Sequence, residues 1–546
     1  MLRRFFILAL SSYFLAPTVI AQQTRLADTL SAGQQRVDFI MRLIDANYTD
    51  TPDMEALSTE AINAMLKHLD PHSVYIPAKD VERANEGLQG NFEGVGISFQ
   101  IVSDTIVVGS VIDGGPSEKV GLQVGDKIIR IDHQPATGDS INNQFVFNHL
   151  RGKKGTLVNL DILRQGTVYN FEITRDKVPI YSIDTYFMAD STVGYIRLIR
   201  FARTSLDEFH KALKSLQKQG MQALILDLRG NTGGFLDIAC ALANEFLDRG
   251  QLIVYQEGRS TPRQNFNANG RGRFRVERDR TGALVHDGRD HPLVVLIDEG
   301  SASASEIVSG AIQDWDRGTL IGRRSFGKGL VQRMFPLPDG GQVRLTTARS
   351  YTPSGRCIQR PYDKGPDAYR DDISERYKHG ELVNADSIHF PDSLRYRTAH
   401  GRTVFGGGGI MPDIFVPLDT MRLSDYYISL RGKGLLNTFP LQWADSHRRD
   451  PRLKTFELFL ENYDTFGLDA QLAAAAVEKG VVRDSEKEAA EPLRTARSDR
   501  YLALMLKAQI AKDLFGIEYY YKIMKDIDEP FLRALDFLHG KVVSGK

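Results

Sequence analysis

Two short stretches of this chain pair a nucleophile with a base. Gly300-Ser301-Ala302-Ser303-Ala304-Ser305-Glu306 sets serines among small residues, and Ser325-Phe326-Gly327-Lys328-Gly329-Leu330-Val331-Gln332 holds a lysine between two glycines. A serine hydroxyl becomes a nucleophile only beside a base. A lysine desolvated by apolar neighbours has a lowered pKa and can accept a proton near pH 7. Ser303 and Lys328 are therefore candidates for a Ser/Lys hydrolase that has no catalytic histidine. Gln332, four residues on, lies on the face of Lys328 in a strand or a helix, where its amide can hold the lysine in one rotamer. Plainer roles compete. Ser303-x-x-Glu306 fits a capping box, whose loss costs about 1 kcal/mol, and a lysine between glycines is often a solvated turn residue. Spacing alone leaves both readings open.

The flanking pattern says which elements deliver these groups. Leu293 to Ile297 is a continuous apolar run rich in β-branched residues, as in a buried strand, and Ile307 to Trp315 places apolar residues at helical spacing. The serine run is thus a strand-to-helix turn. The first helical turn leaves backbone N–H groups unpaired and carries the positive end of the dipole, so it can hold an oxyanion. Upstream, the strand Ala223 to Leu226 runs into Asp227-Leu228-Arg229-Gly230-Asn231-Thr232-Gly233-Gly234 and a helix from Phe235. Paired glycines at such a junction expose amides to a substrate carbonyl, or simply let a helix pack on a sheet. None of the 12 histidines has metal-ligand spacing, so neither a metal nor another cofactor is expected. A Ser-His-Asp triad stays open, because its members need not be adjacent.

Taken together, Gly300 to Ile307, Gln313-Asp314, Phe326-Gly327-Lys328-Gly329 and Gln332 resemble the signature of the carboxyl-terminal processing proteases, the tail-specific proteases of the S41 type. The resemblance implies Ser303 as nucleophile, Lys328 as general base at the family's spacing, and Gln332 as support for the lysine. It extends to Asp227 through Gly234, and so to an oxyanion hole built from the amides of Gly233 or Gly234 and of Ala304. Asp314 matches an acidic position whose role is open. Leu69 to Ser73, Gln342 to Gly355 and Gly406 to Asp413 are similar to further segments of the family.

Phe92-Glu93-Gly94-Val95-Gly96-Ile97-Ser98-Phe99, then Val111 to Pro116, Gly121 and Gly125 to Ile131, follow the order seen in PDZ domains. The resemblance implies a carboxylate-binding loop at Gly94, Val95, Gly96 and Ile97, beside a strand edge that pairs with a peptide backbone. Asp126 and Arg130 read as surface charges. Joined to a Ser/Lys protease, such a module implies an exported serine endopeptidase that finds protein substrates by their C-terminal tails and cleaves them through an acyl-enzyme. A catalytically silent PDZ adaptor is the competing reading.

The 546 residues, 42% of them apolar, suffice for several domains. Equal numbers of basic and acidic side chains, 69 each, give no bulk attraction to nucleic acid. The expected fold is multidomain α/β: a signal peptide over 1–21, a helical region over 22–85, an inserted PDZ domain over 86–178, an α+β protease core of the tail-specific type over 179–420, and a helical region over 421–546. Within the core, alternating strand and helix patterns predict a mostly parallel sheet with the site at its strands' carboxyl ends. Arg3, Arg4, the apolar stretch Phe5 to Ile20 and Val19-Ile20-Ala21 have the layout of an export signal, which points to a bacterial periplasm. An uncleaved anchor in the inner membrane is the alternative. The helical ends leave a homodimer open, and an adaptor or activating partner is equally compatible. Cys240 and Cys357 are either one disulfide or two free thiols.

Overall fold

The computed structural model describes residues 31–102, 104–274 and 291–541. The expected signal peptide lies outside the described residues. The chain divides into two units, 1–75 and 76–546. In the first, helix α1 (Ala32–Asn47) opens on a capping box in which Ser31 N–H donates to Gln34 Oε1 at 2.7 Å. Helix α2 (Met54–Lys67) follows an Asp53 cap. Asp70 then ties off the turn that follows, accepting from the N–H of His72 and Ser73 and from the Ser73 hydroxyl at 2.6–2.8 Å.

After the short strand β1 (Val74–Ile76), the second unit begins with helix α3 (Ala78–Gln89) and the strand β2 (Asn91–Gly94). A small sheet follows, in the order β3-β4-β5-β7-β8: β3 (Ile97–Val102), β4 (Thr105–Val111), β5 (Lys127–Ile131), β7 (Leu157–Arg164) and β8 (Thr167–Thr174). The short β6 (Gln134–Pro135) pairs with β5, and β9 (Asp176–Pro179) returns to pair with β2. Helices α4 (Pro116–Val120) and α5 (Asn143–Leu150) belong to the same domain. Val158, Leu160 and Ile162 alternate inward on β7 and are fully buried with Ile106, Ile128 and Ile173, the period of two expected of a half-covered strand. Strand β3 is an edge. Asp126 corrects the surface-charge expectation. It is 1% exposed, with two hydrogen bonds of 2.6–2.7 Å from Arg164, because β7 ends beside the β5 turn.

The region expected to be the catalytic core holds a sheet in the order β10-β11-β12-β15-β16-β19, from β10 (Ile183–Met188), β11 (Val193–Leu198), β12 (Ala223–Asp227), β15 (Leu293–Ile297), β16 (Thr319–Gly322) and β19 (Ile414–Phe415). Only β10 runs antiparallel to its neighbour. Helices α6 (Ser205–Lys218), α7 (Leu236–Asn244) and α8 (Ala304–Asp314) cover one face. Phe209, Ala212, Leu213 and Leu216 recur at helical spacing on α6 and pack with Leu224, Leu226 and Val295. The alternate residues Ile225, Val294 and Leu296 face the other way, against Phe531 and Ala534 of the C-terminal helix α9 (Glu529–Leu538). Both faces are covered, which is why these strands read as unbroken apolar runs. The C-terminal segment thus completes the core. Before it lies a helical bundle over 425–524, whose longest member is Pro492–Phe515.

A second, antiparallel sheet stands beside the first: β13 (Leu252–Gly258) pairs with β14 (Thr261–Asn267) on one edge and with β18 (Gln342–Tyr351) on the other, and β17 (Leu330–Pro336) pairs with β18. The strand that follows Lys328 belongs to this sheet.

Candidate active site

Two strand-to-helix turns lie side by side at the carboxyl ends of β12 and β15, and Asn231 fastens them. Its side chain donates to Leu198 O at 2.8 Å and accepts from Gly233 N–H at 2.9 Å. Its carbonyl accepts from Ala302 N–H at 2.9 Å and from Ser305 Oγ at 2.8 Å. Ser301 Oγ donates to Leu228 O at 2.8 Å, and Gly230 N–H to Asp298 Oδ1 at 2.8 Å. The first turn of the pair rests on an ionic network. Asp227, fully buried, accepts from Arg229, Arg197 and the Tyr195 hydroxyl. Burial pushes its carboxyl up, but Arg229 and Arg197 outweigh that and hold it well below the usual carboxylate range.

Ser303 is the N-cap of α8, at φ 57°, ψ −112°. Positive φ is uncommon for a residue with a Cβ and is kept only where surrounding contacts enforce it. Here Glu306 supplies them. This carboxylate is fully buried and accepts four hydrogen bonds: from Ser303 N–H at 2.9 Å, Ser325 Oγ at 2.6 Å, Gly327 N–H at 2.7 Å and Lys328 N–H at 2.8 Å. The Glu306 arm of the expected capping box is present, and it also binds the loop that carries Lys328. Burial pushes the Glu306 carboxyl up while its four donors pull the other way.

A cavity of about 950 Å³ opens over this pair of loops. Ser303, Ala304, Lys328, Gln332, Gly233 and Gly234 all line it, so the candidate nucleophile, base, support and oxyanion groups share one wall system. Gly233 fits because it lacks a side chain: a Cβ there would sit 2.8 Å from Ser303 Cβ and 2.9 Å from Ala304 N. Its own N–H, however, is committed to Asn231. The amides of Gly234 and Ala304 carry no hydrogen bond among the described residues. That narrows the expected choice between the two glycines to Gly234. Gln332 follows an irregularity in the β17–β18 pairing and donates through Nε2 to Leu330 O at 3.3 Å and Thr346 Oγ1 at 3.2 Å, leaving Oε1 to meet a donor. Asp314 lies away from the cavity in a buried ion pair with Arg356 at 2.7 Å and accepts from Ser354 N–H at 2.9 Å. It holds the turn after β18. Ala84, Gly87 and Leu88 of α3 also line the cavity, a contribution that no motif announced. Cys240 and Cys357 are free thiols.

In the small sheet's domain, the loop Gly94 to Ile97 is held by its carbonyls. Val95 O accepts from Ser117 N–H at 2.9 Å and Ser117 Oγ at 2.7 Å, and Gly96 O from Ile112 N–H at 3.0 Å. The antiparallel bridge between Gly94 and Arg151 turns the Val95 N–H toward Leu150 O, the Gly96 N–H carries no hydrogen bond among the described residues, and Ile97 starts the edge strand β3. Phe99 on β3 meets Phe147 on α5 edge-on at 5.7 Å.

Fold and site together define a serine-type peptidase core that carries a PDZ domain. The model of peptidase family S41 matches residues 192–368, that of the PDZ domain residues 94–174, and that of a family of unknown function residues 426–516. The carboxy-terminal-processing protease of Bartonella bacilliformis is 34% identical over 411 residues, covering 73% of this chain and 89% of its own. A probable CtpA-like serine protease of Staphylococcus epidermidis is 31% identical over 338 residues, covering 62% of this chain and 65% of its own. Among solved structures, the photosystem II D1 C-terminal processing protease is 28% identical over 60% of this chain and 91% of its own, with a TM-score of 0.34. The PDZ domain of a Vibrio cholerae carboxy-terminal protease, solved in complex with a peptide, is 27% identical over 16% of this chain and 97% of its own, with a TM-score of 0.15. The chain belongs to peptidase family S41, among the carboxy-terminal-processing proteases.

Proposed function

We propose that this protein is an exported endopeptidase that captures protein tails through its PDZ domain and cleaves them with a Ser303/Lys328 dyad. Neutral Lys328 takes the Ser303 hydroxyl proton as Oγ attacks a peptide carbonyl carbon. The N–H groups of Gly234 and Ala304 hold the oxyanion. The intermediate collapses with cleavage of the C–N bond, and the lysine ammonium gives its proton to the leaving amine. Water then attacks the ester, with Lys328 again taking a proton and returning it to Ser303 Oγ. Gln332 supports the lysine through Oε1. The observation that carries this reading is Glu306: one buried carboxylate binds the backbone of both Ser303 and Lys328, so the two loops are built as a unit.

Capture is assigned to the loop Gly94 to Ile97, where the free amide of Gly96 suits a terminal carboxylate, with the peptide backbone added along β3. The basic and apolar N-terminus supports export to the periplasm. No helix among the described residues is long and apolar enough to cross a membrane. The test is to incubate the parent, Ser303→Ala and Lys328→Ala with an unstructured protein ending in an apolar tail, free or amidated. Cleavage by the parent alone, reduced by amidation, is expected. Equal cleavage by all three would overturn the dyad, and indifference to amidation would overturn carboxylate capture.

A further inference from the structure

The inward face of the second sheet changes character where it leaves the core. Val254 on β13 and its cross-strand neighbour Phe266 on β14 pack into the apolar core beside α7 and α8. Two residues further, on the same face, the row is Gln264, Gln256 and Ser350, paired directly across β14, β13 and β18. All three line the cavity that holds Ser303. Gln256 is 7% exposed and Ser350 6% exposed, and neither side chain has a hydrogen bond among the described residues. Thr347, in the β18 stretch where pairing with β17 is irregular, lines the same wall, and its Oγ1 is buried without a partner. The buried, unpartnered Thr347 hydroxyl is costly there, and an apolar side chain would continue the core more cheaply. The wall also lies against the catalytic loop: Ser350 N–H donates to Gly329 O at 2.8 Å, one residue from Lys328.

Resting on the proteolytic reading above, we infer that Gln256, Ser350 and Thr347 form a side-chain subsite that selects an uncharged, hydrogen-bonding substrate residue at one position flanking the cleaved bond. Serine, threonine, asparagine and glutamine meet these unpaired groups. An aliphatic side chain would leave them unpaired, and a carboxylate or ammonium would enter a wall where none of the three groups can neutralise it. Glu257, the next residue on β13, points to the opposite face, where it pairs across with Arg349.

The experiment uses peptides with one common apolar tail that differ only at residues flanking a single cleavable bond, with asparagine, serine, leucine or aspartate at each position in turn. Full-length parent, Gln256→Met, Ser350→Ala and Thr347→Val are compared by mass spectrometry. The readout is the ratio of kcat/KM for the asparagine peptide to that for the leucine peptide, which a general loss of folded enzyme does not move. At one position the parent ratio is expected to be about tenfold or more, falling toward one or inverting in Gln256→Met and falling in the other two. A ratio that is the same in parent and variants overturns the subsite while leaving the protease intact. If the parent cuts none of the peptides, the proteolytic reading fails and the subsite falls with it.

Discussion

Arg229 and Asp528 meet through two parallel hydrogen bonds of 2.7 Å although 299 residues separate them in the chain. Arg229 stands two residues after the end of β12, in the turn that leads to Gly233 and Gly234, and Asp528 is the N-cap of α9. The guanidinium is buried, and Asp227 and Asp528 together hold it charged, well above its usual range. The last helix is therefore tied by charge to the turn that carries Gly233 and Gly234.

Removing one partner of a buried pair leaves the other charge uncompensated. Asp528→Ala is expected to cost about 3 kcal/mol, the lower end of that range because Asp528 is a quarter exposed. Denaturant unfolding measures it, and Asp528→Asn, which keeps an acceptor, should lose less. kcat should fall with stability in both. A variant as stable as the parent would make the contact incidental.

Glu306→Gln tests the clamp between the two loops. An amide nitrogen would replace an oxygen that now accepts two donors, leaving buried N–H or O–H groups facing a donor. The expected loss is about 2–4 kcal/mol in stability and about a hundredfold in kcat, because Ser303 and Lys328 no longer share a fixed support. Tail binding, followed by fluorescence anisotropy of a labelled peptide, should stay at the parent value.

Much of this site is legible in the sequence because its parts are local. An apolar run, then small residues, then helical spacing reads as a buried strand feeding a helix, and the two turns at Asn231 and Ser303 have that form. The S41-like motifs add which serine and which lysine to propose as the dyad. What stays hidden depends on partners across the fold. Asp126 looks like a surface charge until Arg164 folds over it. Gln256 looks like any strand glutamine, since only its register with Gln264 and Ser350 sets it on the cavity wall. Glu306 is visible as a capping residue, but its hold on Gly327 and Lys328 needs a loop 21–22 residues away. Asp528 reads locally as a helix N-cap, and nothing near it in the chain points to Arg229.

Gly233→Ala is a steric test of the seat of Ser303, the proposed nucleophile. The added Cβ would lie 2.8 Å from Ser303 Cβ and 2.9 Å from both Ala302 O and Ala304 N, at a φ of +100° that L-residues rarely adopt. Ser303 must shift, and displacement of a nucleophile by a fraction of an ångström to an ångström costs about a hundredfold in rate. The expected result is loss of peptide cleavage, and of acylation of Ser303 by a fluorophosphonate, with tail binding retained. Normal acylation would mean that the loops can separate.

Asp513 gives the chain a pH dependence of its own. It lies on the long helix Pro492–Phe515, and burial pushes its carboxyl from 3.8 up to about 6, with Lys512 and Arg448 offsetting only part of the effect. The unfolded chain ionises this group from about pH 4 upward, whereas the folded chain resists ionisation until about 6. Its contribution to stability is therefore fully present below pH 4 and is lost as pH rises to 6. Above that the folded state carries a penalty of about 3 kcal/mol, since each tenfold difference in ionisation constant between the two states corresponds to about 1.4 kcal/mol. Asp513→Asn keeps the shape and removes the charge, so it should raise the unfolding temperature at pH 8 and leave it nearly unchanged at pH 4. Thermal unfolding of both proteins at the two pH values decides this: an equal effect at each would mean that Asp513 acts through packing, and a loss of stability at pH 8 would mean that its ionised form is held by partners in solution.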